Sequence, residues 1–281
     1  MQEMERPKSK VEKLIDVERV FSEKNPRLFR LIPGFVIRYL KRVIHQDELN
    51  NILERYKDKT GLDFIDAIFE EFGANIVVEG LENIPENGRF IVASNHPLGG
   101  MDGMALMQAV GKVRKDIQFP VNDLLMHLPN LKPLFIPLNK LGSNADNIRI
   151  FDAAFAGDAA ILYFPAGICS RKISGVIQDL DWKKTFISKA KKFKRDVIPV
   201  YIKGRNSKFF YNLALWRVKL GIKANIEMLY LVDEMFKQKD KEILIRFGKP
   251  ITYQFFDGSK KDVEWAAYMR EFVYAMASQP S

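Results

Sequence analysis

Cysteine and histidine are nearly missing from this 281-residue chain, which has one cysteine and three histidines, His45, His96 and His127. A lone thiol excludes an intramolecular disulfide framework and any cysteine-cluster zinc or iron–sulfur site. The histidines are too widely separated to show the close spacing of a His-rich metal centre, so no such metal site is expected. Long apolar runs are also lacking: none approaches the ~18–20 residues that a membrane-spanning helix needs, and mean hydropathy is −0.16. The opening residues, MQEMERPKSK, are charged and lack the apolar core of a secretory signal, so a cytoplasmic location is expected.

Acidic residues are scarce in two places. Overall the chain has 44 Lys and Arg against 35 Asp and Glu, a net charge of +9. From Arg27 to Arg42 there are five basic residues and no acid, and from Lys183 to Lys223 thirteen against the single Asp196. Such stretches suit a polyanion, either nucleic acid or an anionic membrane surface, and read equally well as solvated helix faces.

Residues 8–72 contain no convincing strand, while Leu62, Ile65, Phe69 and Phe72 follow helical spacing behind a candidate cap, Thr60. From Gly73 onward, short β-branched runs appear at 76–78, 90–93, 135–138, 160–164, 197–202 and 243–247, most of them separated by helical stretches. Strands alternating with helices predict an α/β domain with a mixed, largely parallel sheet over residues 73–281, preceded by a helical N-terminal extension, 1–72. Val263, Ala266, Met269, Val273 and Met276 predict a closing helix.

The segment Arg89–Gly103, RFIVASNHPLGGMDG, is an apolar strand followed by a glycine-bearing turn and a helix start. It sets His96 just beyond the carboxyl end of a strand, where open α/β sheets bind ligands, and Asp102 within reach of it. A carboxylate bonded to one imidazole nitrogen makes the other a better base. Taken alone, an H-x₅-D pair fits a helix cap at Asp102 and a satisfied turn histidine better than a catalytic pair.

The surrounding blocks alter that balance. NHPLGGMD resembles the N-H-x₄-D motif of the glycerolipid acyltransferase family, typified by lysophosphatidic acid acyltransferase. PLFIPLNKLGS (133–143), ILYFPAGICSR (161–171) and VIPVYI (197–202) resemble that family's second, third and fourth blocks, in the same order. NHPLGGMDG and GRNSKFFY further resemble a bacterial branch associated with ornithine- and glycine-lipid synthesis. This chain departs from the family pattern at several points. Five residues, not four, separate His96 from Asp102; Lys140 stands in place of an arginine, Ala166 in place of a glutamate, and Arg171 lies beyond Ser170. Most of these departures fall in the two blocks that, in the family, help bind the acceptor headgroup. The resemblance therefore does not carry glycerol 3-phosphate-type recognition over to this chain, while it leaves the acyl-transfer centre intact.

The resemblance implies direct acyl transfer from a thioester of acyl carrier protein or coenzyme A to a lysolipid hydroxyl. His96 would be the general base and Asp102 would orient it. Asn95, Lys140, Arg149, Gly167, Ser170 and Arg171 are the candidate substrate-binding residues, with backbone amides near Pro165–Ile168 as candidate oxyanion donors. Cys169 offers a rival nucleophile, although a cysteine beside Ile168 fits a small core residue better.

Two segments have the composition of a bilayer-surface element. In 28–44, Phe29, Phe35 and Tyr39 alternate with Arg30, Arg38, Lys41 and Arg42. In 206–220, Phe209, Leu213, Trp216 and Leu220 form one helical stripe, with Lys208, Arg217 and Lys219 outside it. Each stripe could instead pack on the domain core. The expectation is a peripheral O-acyltransferase at the inner face of the membrane, without nucleic acid as a partner. The alternative is a non-catalytic basic module that binds nucleic acid or lipid.

Overall fold

The computed structural model describes residues 14–24, 26–122, 125–138 and 144–278. They fall into two compact units, divided between Lys57 and Asp58. In the first, four helices (Val17–Lys24, Pro26–Phe29, Gly34–Val43 and Gln46–Arg55) follow one another. A turn at 30–33 interrupts the 28–44 segment, so it is not one continuous interfacial helix. Phe35, Arg38, Tyr39 and Arg42 are exposed and Phe29 is half-buried, while Lys41 forms an ion pair with Glu18. No helix among the described residues is long and apolar enough to cross a membrane.

The helix Gly61–Phe72 belongs to the second unit, whose compact boundary therefore falls ahead of the residue where strands begin. Of the residues read at helical spacing, Ile65, Phe69 and Phe72 are buried and Leu62 is half-buried, and Phe64 and Ile68 add to the buried face. Thr60 occupies the N-cap position, but its side chain makes no capping bond.

Among the described residues nine strands follow: β1 (Asn75–Glu79), β2 (Phe90–Ser94), β3 (Ile117–Asn122), β4 (Phe135–Leu138), β5 (Ala160–Tyr163), β6 (Arg171–Ile173), β7 (Val176–Gln178), β8 (Asp196–Lys203) and β9 (Glu242–Phe247). Seven make one sheet in the order β1-β9-β8-β2-β5-β3-β4, and β6 and β7 form a separate hairpin. The sheet is mixed and largely parallel, as predicted. The antiparallel step is β8 against β9, which leaves β2, β3, β4, β5 and β8 pointing the same way.

The chain crosses from β2 past β5 to β3, then returns from β5 past β2 to β8. Right-handed crossovers in opposite directions place their helices on opposite faces of the sheet. One face packs Ile91, Ala93, Ile161 and Val197 against Phe155, Phe186, Trp265 and Met269. The helix Gly100–Gly111 packs on β1, β3 and β9. Coverage on both faces is why β2 is buried at every residue. The sequence pattern missed β3, which contains Pro120; Ile117 and Gln118 pair with β5, and the four residues from Phe119 pair with β4.

The basic stretch 183–223 is not a uniform cationic surface. Arg195 is fully buried at the carboxyl end of the helix Asn144–Ala156 and donates to the carbonyls of Phe155 (2.7 Å), Ala159 (2.7 Å) and Phe90 (3.2 Å), and to that of Gly157. Positive charge suits a helix C-terminus; burial pulls the Arg195 pKa down to about 10, so it remains a cation near neutrality. Lys189 and Lys192 pair with Asp152, Lys191 with Asp262 and Arg217 with Glu227.

Candidate active site

Because β2, β5 and β8 run parallel, with Ala93 beside both Tyr163 and Pro199, the loops 95–99, 164–170 and 204–207 leave the same carboxyl edge of the sheet. Asn95 ties two of these exits together. Its Nδ2 donates to Ile202 O at 2.9 Å and its Oδ1 accepts from Ile202 N–H at 2.7 Å. Both ends of that amide are thus engaged with backbone.

His96 follows, and the turn after it brings Asp102 back to its ring. Gly99 makes this possible with φ +79°, a region open to glycine. A Cβ at Gly99 would come within 2.9 Å of Leu231 Cδ2. The helix Gly100–Gly111 starts at once and places the buried Asp102 in its first turn. Asp102 is not the N-cap, a position held by Gly99. Its carboxylate lies 3.1 and 3.0 Å from His96 Nδ1 and accepts Leu98 N–H at 2.7 Å. The extra residue between histidine and aspartate therefore does not separate them. With a carboxylate as partner, Nδ1 carries the hydrogen and Nε2 is the basic nitrogen.

The imidazole stacks on Phe164, with centroids 4.1 Å apart and planes 15° from parallel, and Phe119 meets Phe164 edge-on at 5.4 Å. Burial by itself lowers the His96 pKa. The Asp102 charge and hydrogen bond, aided by Asp179, outweigh burial and hold it above the ordinary imidazole value.

Asp179 was not singled out in the sequence, yet it anchors the main chain of this turn. Its Oδ1 accepts His96 N–H at 3.2 Å and Ser170 Oγ–H at 2.6 Å, and its Oδ2 accepts Trp182 Nε1–H at 2.9 Å. Ser170 N–H donates to His96 O at 2.7 Å. Ser170 is therefore a strut between the third block and the histidine. Arg171 points inward: Nη2 donates to the buried Glu227 at 2.9 Å and Nη1 to Cys169 O at 2.6 Å, with Phe210 beneath the guanidinium.

Gly167 is exposed with φ +73°, and a Cβ there would sit 3.1 Å from the ammonium of Lys183. The Gly167 N–H donates to Phe164 O at 3.0 Å, so of the amides considered for an oxyanion this one is already occupied. Cys169 is fully buried, and burial pushes its thiol up to about 11. A thiol protonated at neutral pH does not fit a nucleophile. Arg149 is exposed on the helix Asn144–Ala156, and no hydrogen bond among the described residues joins it to the His96 cluster. Lys140 lies outside the described residues.

A family model described as Acyltransferase matches residues 19–278, nearly the whole chain. The chain belongs to the acyltransferase family. It is 49% identical over 94% of its length, and 97% of the relative's, to a lyso-glycine lipid O-acyltransferase of Bacteroides thetaiotaomicron. It is 48% identical, over 94% of its length and 95% of the relative's, to a protein of the same name from Phocaeicola vulgatus. Among solved structures it is similar to the 1-acyl-sn-glycerophosphate acyltransferase PlsC of Thermotoga maritima. Identity there is 17% and the TM-score 0.46, covering 88% of this chain and 94% of that one. The enzymatic expectation holds for this acyltransferase, and the non-catalytic basic module is set aside. The resemblance read from four short blocks extends over nearly all of the second unit and into the N-terminal helices.

Proposed function

We propose that this acyltransferase esterifies the hydroxyl of a lysolipid with an amino-acid headgroup, a lyso-glycine lipid, using a fatty acyl thioester of acyl carrier protein or coenzyme A as donor. Support for the acceptor is the name shared by the two relatives at 49% and 48% identity. Ala166 and the inward-facing Arg171, at positions associated with phosphate-headgroup binding, fit an acceptor without a glycerol phosphate.

The single observation that carries the chemistry is the 3.0 Å contact between His96 Nδ1 and Asp102. His96 Nε2 takes the proton from the acceptor hydroxyl as its oxygen attacks the thioester carbonyl. Asp102 stabilises the imidazolium so formed. The tetrahedral intermediate collapses by breaking the C–S bond, and the proton passes to the departing thiolate. No covalent enzyme intermediate is needed.

We also read the enzyme as peripheral, working at the inner face of the membrane. The exposed Phe35, Arg38, Tyr39 and Arg42 of the N-terminal extension are offered as one contact with anionic lipid. The exposed Lys183, Lys184 and Lys194 of the basic stretch would suit an acidic carrier protein.

The test is purified enzyme with acyl-coenzyme A and, separately, acyl-carrier protein, offered lyso-glycine lipid or lysophosphatidic acid in detergent. Ester formation with the first acceptor and little with the second is expected. A preference for lysophosphatidic acid would overturn the acceptor assignment.

A further inference from the structure

The stripe read along 206–220 faces outward, not into the core. The buried face of the helix Lys208–Lys219 is Phe210, Tyr211 and Ala214, which leaves Trp216 61% exposed, Val218 64% and Leu220 69%. The helix ends in a Schellman turn: Gly221, at φ +70°, donates to Val218 O at 3.0 Å, and Ile222 N–H donates to Arg217 O at 3.0 Å. Arg217 Nη1 donates back to Ile222 O at 2.9 Å. The apolar residues therefore sit on a braced tip, not a loose loop. Lys219 and Lys223 are exposed beside them, and no acid occurs from Gly204 to Asn225.

This tip is wired to the active-site edge. Its helix begins five residues after β8 ends, and Gly204 packs so closely on Leu98 of the His96 turn that a Cβ there would lie 2.8 Å from Leu98 Cγ. Glu227 pairs with Arg217 at 2.8 Å and with Arg171, next to Ser170, at 2.9 Å.

We propose that the tip formed by Trp216, Val218, Leu220 and Ile222, flanked by Lys219 and Lys223, inserts into an anionic bilayer and turns the active-site edge of the catalytic unit toward the lipid. An exposed tryptophan with aliphatics and lysines and no acid matches the chemistry of an anionic lipid interface. The inference rests on the reading of a membrane-resident acceptor and adds a second, catalytic-unit anchor to it. An acceptor hydroxyl could then reach His96 without its lipid leaving the membrane.

Intrinsic fluorescence supplies a direct test, because Trp182 and Trp265 are buried and Trp216 is the exposed tryptophan. The full chain is mixed with phosphatidylglycerol-containing vesicles, with and without brominated acyl chains. Trp216 emission is expected to shift blue and be quenched by bromine, and both signals should vanish in Trp216→Phe. Leu220→Ser and the pair Lys219→Gln with Lys223→Gln should weaken sedimentation with vesicles, the pair by roughly tenfold or more since each cation near the surface is worth about fivefold. Turnover on detergent-dispersed acceptor should be unchanged. Binding to vesicles with neither quenching nor loss in these variants would overturn the wedge while leaving the peripheral reading to the N-terminal helices. Failure to bind anionic vesicles at all would overturn both, leaving acyl transfer in detergent unaffected. Loss of turnover with acyl-carrier protein but not with acyl-coenzyme A in these variants, with vesicle binding intact, would assign the tip to the carrier and overturn the proposal.

Discussion

His96 and Asp102 meet at 3.0 Å although five residues separate them, because the chain passes through a left-handed glycine before the helix begins. Asp102 uses its carboxylate on the imidazole and on Leu98 N–H together, so it fixes both the ring and the turn that presents it. A pure helix cap would do neither.

The raised His96 pKa sets a pH dependence with a definite sign. A general base works when neutral, so the acid limb of kcat/KM should lie above the ordinary imidazole value of 6.5. Asp102→Asn keeps an acceptor for Nδ1–H but removes the charge that raises the pKa. Its maximal rate should fall while its acid limb moves to lower pH. Full activity with an unmoved limb would show that Asp102 is merely structural.

Gly99 carries the geometry of the turn. Gly99→Ala puts a side chain into a φ +79° backbone and against Leu231, at an expected cost of roughly 1–3 kcal/mol in stability. Activity should drop further than the melting temperature shift explains, since Asp102 lies only three residues on, in the first turn of the helix. Thermal unfolding and kcat/KM measured on the same preparation check this.

Asp179 should behave as a support for the His96 main chain. Asp179→Asn would set an amide N–H₂ against Trp182 Nε1–H, or against Ser170 and His96 N–H, and would also remove a charge that raises the His96 pKa. Lower stability, reduced kcat and an acid limb shifted down are expected together. A pH profile identical to wild type would limit Asp179 to folding.

Cys169→Ala and Cys169→Ser should retain substantial turnover, and the native thiol should resist alkylation until the protein unfolds. Its burial and high pKa both keep the thiolate away from substrate. An acylated Cys169 peptide recovered during turnover would contradict direct transfer.

What was legible in the sequence was whatever has a local pattern. β2, β5 and β8 stood out as apolar runs, and the His96 turn as a strand followed by glycines and a helix. β3 was hidden by Pro120, and the β6–β7 hairpin by strands of three residues. Long-range polar contacts leave no local mark: Asp179 reaches His96 across 83 positions and Glu227 reaches Arg171 across 56. The basic stretch misled in the same way, since Asp152, Asp262 and Glu227 come from outside it, and Arg195 is buried against carbonyls. The stripe at 209–220 had the right periodicity, but its direction depends on packing that periodicity alone does not encode.

If His96 is the base for acyl transfer to a lyso-amino-acid lipid, its removal should stop ester formation without unfolding the protein. Purified wild type and His96→Ala are given an acyl thioester and lyso-glycine lipid, and the esterified product is quantified by mass spectrometry beside matched unfolding curves. Wild type should form the ester, and His96→Ala should lose about 10²–10⁴-fold in rate with its unfolding transition retained. Near-wild-type ester formation by a folded His96→Ala enzyme would contradict the claim.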